Sequence, residues 1–439
     1  MRQASEVKAA PAGRDRARTL IERYRTGVTF ASSAILVHGA SAIANVVLMR
    51  WIGPTDMGAW QALVLVQTYL GVVRVGVVNG LNREYPFLKG AGDDASALEI
   101  AATARFHCGL SALAGFGYFA TRAAVGAPQA AFALACMALV SAAQFYRSYL
   151  EGTLRGSNEF RWLSRVNGMT GALQLLSLPL VAWGGFRAMC VRFAVIELLG
   201  LALLHAGHPA LVTPRPRLAA YRRLFATGLP LFASNYLLAT SATFGRVFVL
   251  SHGGAESLGL FHVSISVQGA LGMVPSTIVL YLAPRFAQQF GKENNARAIA
   301  SRGVRSALLL LAGLAPLAVV GWLAMPFVAS RLLPLYSSVV WEMRVALLTG
   351  VFGASQVALA AFAATKSWKP MAVFIAAAVL FRFGAPRFAA IWEPSTLRAA
   401  ATGALISEGA LFLVAIATVS SIGRGAKLLR TDHSEGSSS

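Results

Sequence analysis

The chain has 439 residues, of which 56% are apolar or aromatic and only 13% are charged, with a mean hydropathy of +0.59. Soluble globular proteins carry about 25% charged residues, so this composition excludes an ordinary soluble enzyme and fits a polytopic membrane protein. The formal net charge is +21, from 39 Lys and Arg against 18 Asp and Glu, and its distribution decides between loop topology and nucleic-acid binding.

Residues 1–27 read as a cytoplasmic basic segment whose first 25 residues are too polar and basic for the apolar core of a signal peptide, so the first span is expected to act as an uncleaved anchor. Residues 10–25 read either as a short basic helix on the membrane surface or as a solvated tail. A crossing needs about 20 mostly apolar residues. That ruler predicts twelve helices, at 28–49, 59–82, 106–122, 128–150, 166–186, 188–206, 227–250, 257–282, 304–328, 339–362, 370–390 and 396–419. The apolar runs are continuous and do not alternate, which predicts helices and not barrel strands.

Lys and Arg divide unequally between the two sides. With both termini on one side, that side takes the cluster from Arg2 to Arg25, loop residues such as Arg83, Arg105, Arg147, Arg155, Arg223 and Arg302, and the tail to Arg430. The other side takes Arg50, Arg122, Arg187, Arg331, Arg387 and Arg398. The asymmetry predicts cytoplasmic termini and accounts for the charge without nucleic acid. Cys108, Cys136 and Cys190 fall inside spans without paired spacing, and His205 and His208 have no ligand-spaced companions, so no disulfide framework, metal site or cofactor is read. Without a Walker A sequence, transport has to draw on an ion gradient, a substrate gradient or the membrane potential.

The hairpin between the first two spans repeats between the seventh and eighth. Gly53 aligns with Gly254, Met57 with Leu258, Gly58 with Gly259 and Trp60 with Phe261, all 201 residues apart, while Pro86 and Pro284 are 198 apart. The glycines are expected to supply a positive φ in a tight turn and then a close approach of the next helix. The repeat predicts two six-helix lobes in the same orientation, 28–206 and 227–419, joined by a linker at 207–226 and followed by a disordered tail from 420.

The run LMRWIGPTDMGAWQALVLVQTYLGVVRVGVVNGLNREYP resembles the opening of the Wzx-type polysaccharide repeat-unit flippases, members of the multidrug, oligosaccharidyl-lipid and polysaccharide exporter superfamily. Gly53, Pro54, Gly58, Gly80, Leu81 and Arg83 carry the match, with Met57 in place of the usual aromatic residue. Residues 227–234, 245–264 and 274–286 match in the second lobe, although Gly245 stands where the family has an Asp before Arg246. The resemblance implies a V-shaped cavity with alternating access and an undecaprenyl-diphosphate-linked oligosaccharide as cargo. It further implies a bacterial inner-membrane location, service to O-antigen, capsule or exopolysaccharide synthesis, and partnership with a polymerase and chain-length machinery.

The residues give their own evidence for a polar pathway. Arg74, Arg192, Arg246, Arg344 and Arg382 lie inside predicted spans, where a guanidinium costs about 2.5–3.5 kcal/mol to insert unless it faces a wet interior. Arg74 and Arg382 are deepest, whereas Arg192, Arg246 and Arg344 lie near span ends and have snorkelling as the alternative. Guanidinium groups bind phosphate oxygens bidentately, so a cationic chamber suits a diphosphate. Polar stripes run through His38, Ser41 and Asn45, through Gln67, Gly71 and Arg74, and through Asn235, Thr243 and Arg246, either lining a cavity or bonding helix to helix. Glu197 and Glu408, each on the sixth span of its lobe, are candidates for proton or sodium coupling, with a structural pair to an arginine such as Arg192 as the alternative. An ion-coupled multidrug or metabolite exporter is the competing function. A polysaccharide polymerase or ligase is disfavoured because the predicted outer loops are short.

Overall fold

The computed structural model describes residues 32–33, 35–207, 212–365 and 367–422. The basic N-terminal segment, the start of the first span, His208 and the tail from residue 423 lie outside the described residues. Every element within them is helical. The order begins α1 (Ile35–Trp51), α2 (Pro54–Leu70) with a 3-10 turn at Gly71–Arg74, α3 (Val77–Ala91), α4 (Asp94–Val125) and α5 (Pro128–Gly156). It continues with α6 (Phe160–Leu176), α7 (Leu178–Ala206), α8 (Leu218–Ser241), α9 (Phe244–Glu293) and α10 (Ala296–Leu332). The last four are α11 (Val340–Val351), α12 (Ser355–Thr365), α13 (Trp368–Ala389) and α14 (Thr396–Ser421).

Local chemistry sets several boundaries. Pro54 and Pro128 occupy first-turn positions, where the missing N–H costs nothing. Asp93, Asn295 and Ser395 accept hydrogen bonds from the backbone N–H groups of Ser96, Ala298 and Arg398, capping α4, α10 and α14. Val75 (φ 39°) and Gly76 (φ 79°) are both left-handed, and the chain bends by 54° between α2 and α3. The continuous span predicted over 59–82 is therefore broken.

The repeated turn glycines behave differently from each other. Gly254 has φ 73°, as the turn argument requires, but Gly53 is extended at φ −68° and ψ 159°. Gly53 precedes Pro54, and a residue before proline is driven toward extended backbone. Positive φ is therefore needed in one hairpin only.

Helices also run further than hydropathy predicted. α5 continues to Gly156 past the expected end at 150, and α9 continues to Glu293, leaving Asn294 and Asn295 between it and α10. Hydropathy falls where charges enter, but backbone hydrogen bonding does not. Conversely, the seventh span, expected to continue to 250, is interrupted where α8 ends at Ser241 and α9 begins at Phe244.

Among the described residues seven helical runs are long and apolar enough to cross a membrane, or eight if the bent α2–α3 pair is one span. That is fewer than twelve because α8 and α9 form one run, α1 has only 17 described residues, α6 is short, and α4 carries Arg105, His107 and Arg122 among small residues. Large apolar side chains such as Trp183, Leu113, Val320 and Leu323 are exposed on the bundle's outside. In water such a surface aggregates; in a bilayer it is the lipid boundary. The chain is a multi-pass membrane protein.

In the N-terminal half α4 packs on α5, α5 on α7, and α3 on both α4 and α5. In the C-terminal half α13 packs on α14, and α9 on α11 and α12. Two seams, α2 against α9 and α3 against α8, join the halves. At the first, a Cβ on Gly58 would lie 1.6 Å from the Ala255 carbonyl oxygen, and one on Gly259 1.8 Å from that of Pro54. The two hairpins thus exchange equivalent contacts at the 201-residue offset. Gln61 and His262 extend that exchange, with Nε2 atoms 3.4 Å apart. At the second seam a Cβ on Gly80 would lie 2.3 Å from the Leu224 oxygen, and one on Gly228 2.1 Å from that of Gly76. Only residues without side chains allow backbones this close.

Candidate transport cavity

Among the described residues, cavities lined in part by polar side chains lie along the interior faces of these helices, and four of them bear on transport. The one shared by both halves is lined by α2, α3 and α5 on one side and α8 on the other, with a volume of about 520 Å³. Gln67, Arg74, Asn79, Asn82, Ser148 and Asn235 face it. The 3-10 turn at the end of α2 places Arg74, whose Nη1 donates weakly to Ser148 Oγ (3.5 Å) and whose guanidinium lies 5.5 Å from the Phe145 ring centroid. Its Nε and the Gln67 Oε1 are buried without a hydrogen-bond partner among the described residues. Buried polar atoms in native proteins are nearly always paired, and neither atom has accessible surface here, so each gains a partner only when a neighbouring side chain moves.

Two smaller cavities, of about 190 and 280 Å³, continue into the N-terminal half. Asn45 and Arg192 line the first, His38 and Arg147 the second, and Gln144 and Glu197 both. One face of α5 organises the region, with Gln144, Arg147, Ser148, Glu151 and Arg155 following helical spacing. Glu197 accepts from Gln144 Nε2 (3.1 Å) and Arg147 Nη1 (3.4 Å), while Arg147 Nε donates to Glu151 (2.7 Å). The expected partner of Glu197, Arg192, instead donates to Ser177 Oγ (2.9 Å) and to the Gln174 carbonyl at the end of α6. Arg192 is only 4% exposed, so it is fixed inside and does not snorkel.

The α5 stripe is the part sequence reasoning missed. The predicted span ends at 150, which leaves Arg155 in a loop and Arg147 in the last turn, where it counts with the loop charges. Their spacing with Gln144, Ser148 and Glu151 was the available signal, visible once the helix is carried through to Gly156.

The fourth cavity, about 290 Å³, lies in the C-terminal half and is lined by Ser241, Arg246, Gln268, Gln356, Arg382 and Glu408 among others. Arg382 Nε donates to Glu408 (2.8 Å), and its Nη1 to Ser241 Oγ (3.1 Å) and the Leu238 carbonyl (3.3 Å). The deepest C-terminal arginine is thus charge-balanced by the carboxylate read as a coupling candidate. Arg246 makes no ion pair among the described residues, and its Nε is buried without a partner among them.

The stripe Asn235–Thr243–Arg246 does not form a single face. The break at Ala242–Thr243 sends Asn235 to the shared cavity and Arg246 to the C-terminal one. Thr243 instead bonds Tyr69 of α2 (2.9 Å), next to a Tyr236 hydroxyl donating to the Tyr69 carbonyl (2.8 Å). Arg344 lines none of the four cavities. Its Nε donates to the Trp322 carbonyl (3.0 Å), and its guanidinium lies 5.5 Å from the Trp322 ring centroid. Cys108, Cys136 and Cys190 are buried and unpaired.

The fold is one that solved membrane transporters share. The chain is similar to an inward-facing multidrug resistance MATE family transporter of the MOP superfamily, with a TM-score of 0.69 and 13% identity over 87% of this chain and 95% of that one. An outward-facing multidrug resistance MATE family transporter aligns with a TM-score of 0.65 and 12% identity over 90% of this chain and 94% of that one. A MOP superfamily transporter from Pyrococcus furiosus, described as having reversed binding-pocket polarity, aligns with a TM-score of 0.64 and 12% identity over 90% and 96%. No protein-family model and no curated protein matches the chain. At such identities the likeness establishes the fold and leaves the cargo to the cavity's own chemistry.

Proposed function

We propose that this chain is a flippase that moves an undecaprenyl-diphosphate-linked oligosaccharide across the bacterial inner membrane by alternating access, for O-antigen, capsule or exopolysaccharide synthesis. In this reading twelve spans form two six-helix lobes with both termini cytoplasmic, and a polymerase with its chain-length machinery takes the product. The observation that carries the reading is the shared cavity, where a guanidinium with an unpartnered donor faces carboxamides from both halves. Arg74 suits a diphosphate oxygen, because charge-assisted hydrogen bonds to phosphate are strong and directional. Gln67, Asn79, Asn82 and Asn235 suit sugar hydroxyls, since each carboxamide both donates and accepts.

In this mechanism the Gly58–Gly259 and Gly76–Gly228 seams part alternately and expose the cavity to one side at a time. Glu197 and Glu408 are each held by a guanidinium. A proton arriving at either carboxylate weakens that pair and frees the arginine, which is the coupling step we propose. Sodium competing with the guanidinium for the same oxygens is the alternative.

A second reading, an ion-coupled multidrug or metabolite exporter, is favoured by the described activity of two structural neighbours and by the neutralised Arg382–Glu408 pair. One strain experiment separates the two. A deletion strain complemented with wild type accumulates surface polysaccharide, while complementation with normally expressed Arg74→Ala leaves lipid-linked repeat units in the inner leaflet. Unchanged polysaccharide with altered drug susceptibility overturns the flippase reading and selects the exporter.

A further inference from the structure

A groove of about 560 Å³ lies on the bundle's outer surface against α10 and the end of α14, away from the central cavities. Arg297, Ser301 and Arg305 line it at four-residue intervals on α10, Leu308 continues the stripe, and Ser420 closes it from α14. All five are exposed. The nearby Arg302 faces elsewhere and is bonded to Gln289 and Glu293. Arg297 and Arg305 have no ion pair or hydrogen bond among the described residues, and no carboxylate lines the groove.

Chemistry changes in a fixed order along this stripe. Arg297, Ser301 and Arg305 occupy about 12 Å at the start of α10, with Ser420 facing them from α14, followed by exposed Leu308 and Leu309 leading toward the apolar middle of the helix. That order is the order of a phospholipid, with a phosphodiester at the interface and acyl chains below it. Basic grooves between spans at the membrane interface match anionic head groups by charge and phosphate hydrogen bonding.

We propose that the α10–α14 groove is a binding site for an anionic phospholipid. Arg297 and Arg305 hold the phosphodiester, Ser301 and Ser420 donate to its oxygens, and Leu308 and Leu309 receive an acyl chain. The site is independent of what the central cavity carries.

Native mass spectrometry of the full chain in detergent, titrated with phosphatidylglycerol, phosphatidylcholine or inorganic phosphate, tests it. Wild type is expected to prefer phosphatidylglycerol over phosphatidylcholine about tenfold, because both carry the phosphodiester but the choline cation of phosphatidylcholine cancels its charge and is repelled by Arg297 and Arg305, and to bind no inorganic phosphate. The Arg297→Gln/Arg305→Gln variant loses that preference. A control with the same charge change on a different surface, Arg285→Gln/Lys292→Gln, keeps it. Equal preference in both double variants overturns the proposal, as does phosphate binding without lipid selectivity. A preference that appears only after removal of residues 423–439 would make the tail, and not lipid, the groove's occupant, and also overturns it.

Discussion

The two seams that join the halves solve the same problem in different ways. Where α2 meets α9, backbone approaches backbone through Gly58 and Gly259, and the contact repeats itself at one fixed offset. Its polar contacts are the long Gln61–His262 approach between buried side chains and, at the other end of α2, the Tyr69–Thr243 hydroxyl pair at 2.9 Å. Where α3 meets α8, Gly76, Gly80 and Gly228 again allow close approach, but the contact follows the 54° bend after α2. That seam is bordered by an ion pair, Arg223 Nε to Glu84 at 2.6 Å, with Thr227 donating to the other carboxylate oxygen at 3.0 Å. The first seam relies on shape and the second adds partly exposed charge. Shape-held contacts fail abruptly when volume is added, whereas screened charge contacts weaken by degrees.

The largest effect is expected from adding volume to the first seam. Gly58→Ala drives a methyl into the Ala255 carbonyl, and backbone cannot turn aside as a side chain can. A loss of about 3 kcal/mol, the upper part of the overpacking range, is expected in thermal unfolding in detergent. Gly259→Ala should match it, because it meets the equivalent Pro54 carbonyl, and unequal losses would break the symmetry argument.

Gly80→Ala should cost somewhat less, about 2 kcal/mol, because its clash with the Leu224 oxygen is less severe. Access separates the seams more sharply than stability. With Ser148→Cys as reporter in the shared cavity, Gly58→Ala and Gly80→Ala should raise labelling by an impermeant thiol reagent from opposite sides of the membrane. Labelling from the same side in both variants would sink the alternating-seam mechanism.

Glu84→Gln should cost about 1 kcal/mol or less, since the Arg223 side chain is 39% exposed and solvent screens the pair. Its signature is a salt dependence of stability that disappears in the variant. The smallest effect is expected at Gln61 and His262. A double-mutant cycle to alanine should give a coupling of about 0.5 kcal/mol, given the 3.4 Å separation. A coupling several times larger would mean that a hydrogen bond, and not glycine shape, holds the first seam.

Helical character, membrane class and the repeat were legible in the sequence, because each follows from local composition or fixed spacing. Continuous apolar runs admit only helices in lipid, and the fold brings the repeated glycines Gly58 and Gly259 against each other's hairpins, a contact the repeat alone does not specify. That Arg74, Gln67 and Asn235 line one cavity is a finding of the fold, since polar groups at helical spacing in an apolar span have to face something polar but the period does not say whether that is a cavity or another helix. Pairing was not legible. Arg382 with Glu408 is a contact across 26 residues, and Glu197 with Arg147 one across 50, so only packing decides which guanidinium reaches which carboxylate. Nor did hydropathy reveal the bend at Val75–Gly76 or the break at Ala242–Thr243, which divide polar residues among separate cavities. Composition and period determined that this chain crosses the membrane as helices with polar faces. Tertiary structure decided which charges are left unpaired there, because that depends on distances between helices and a linear pattern carries none.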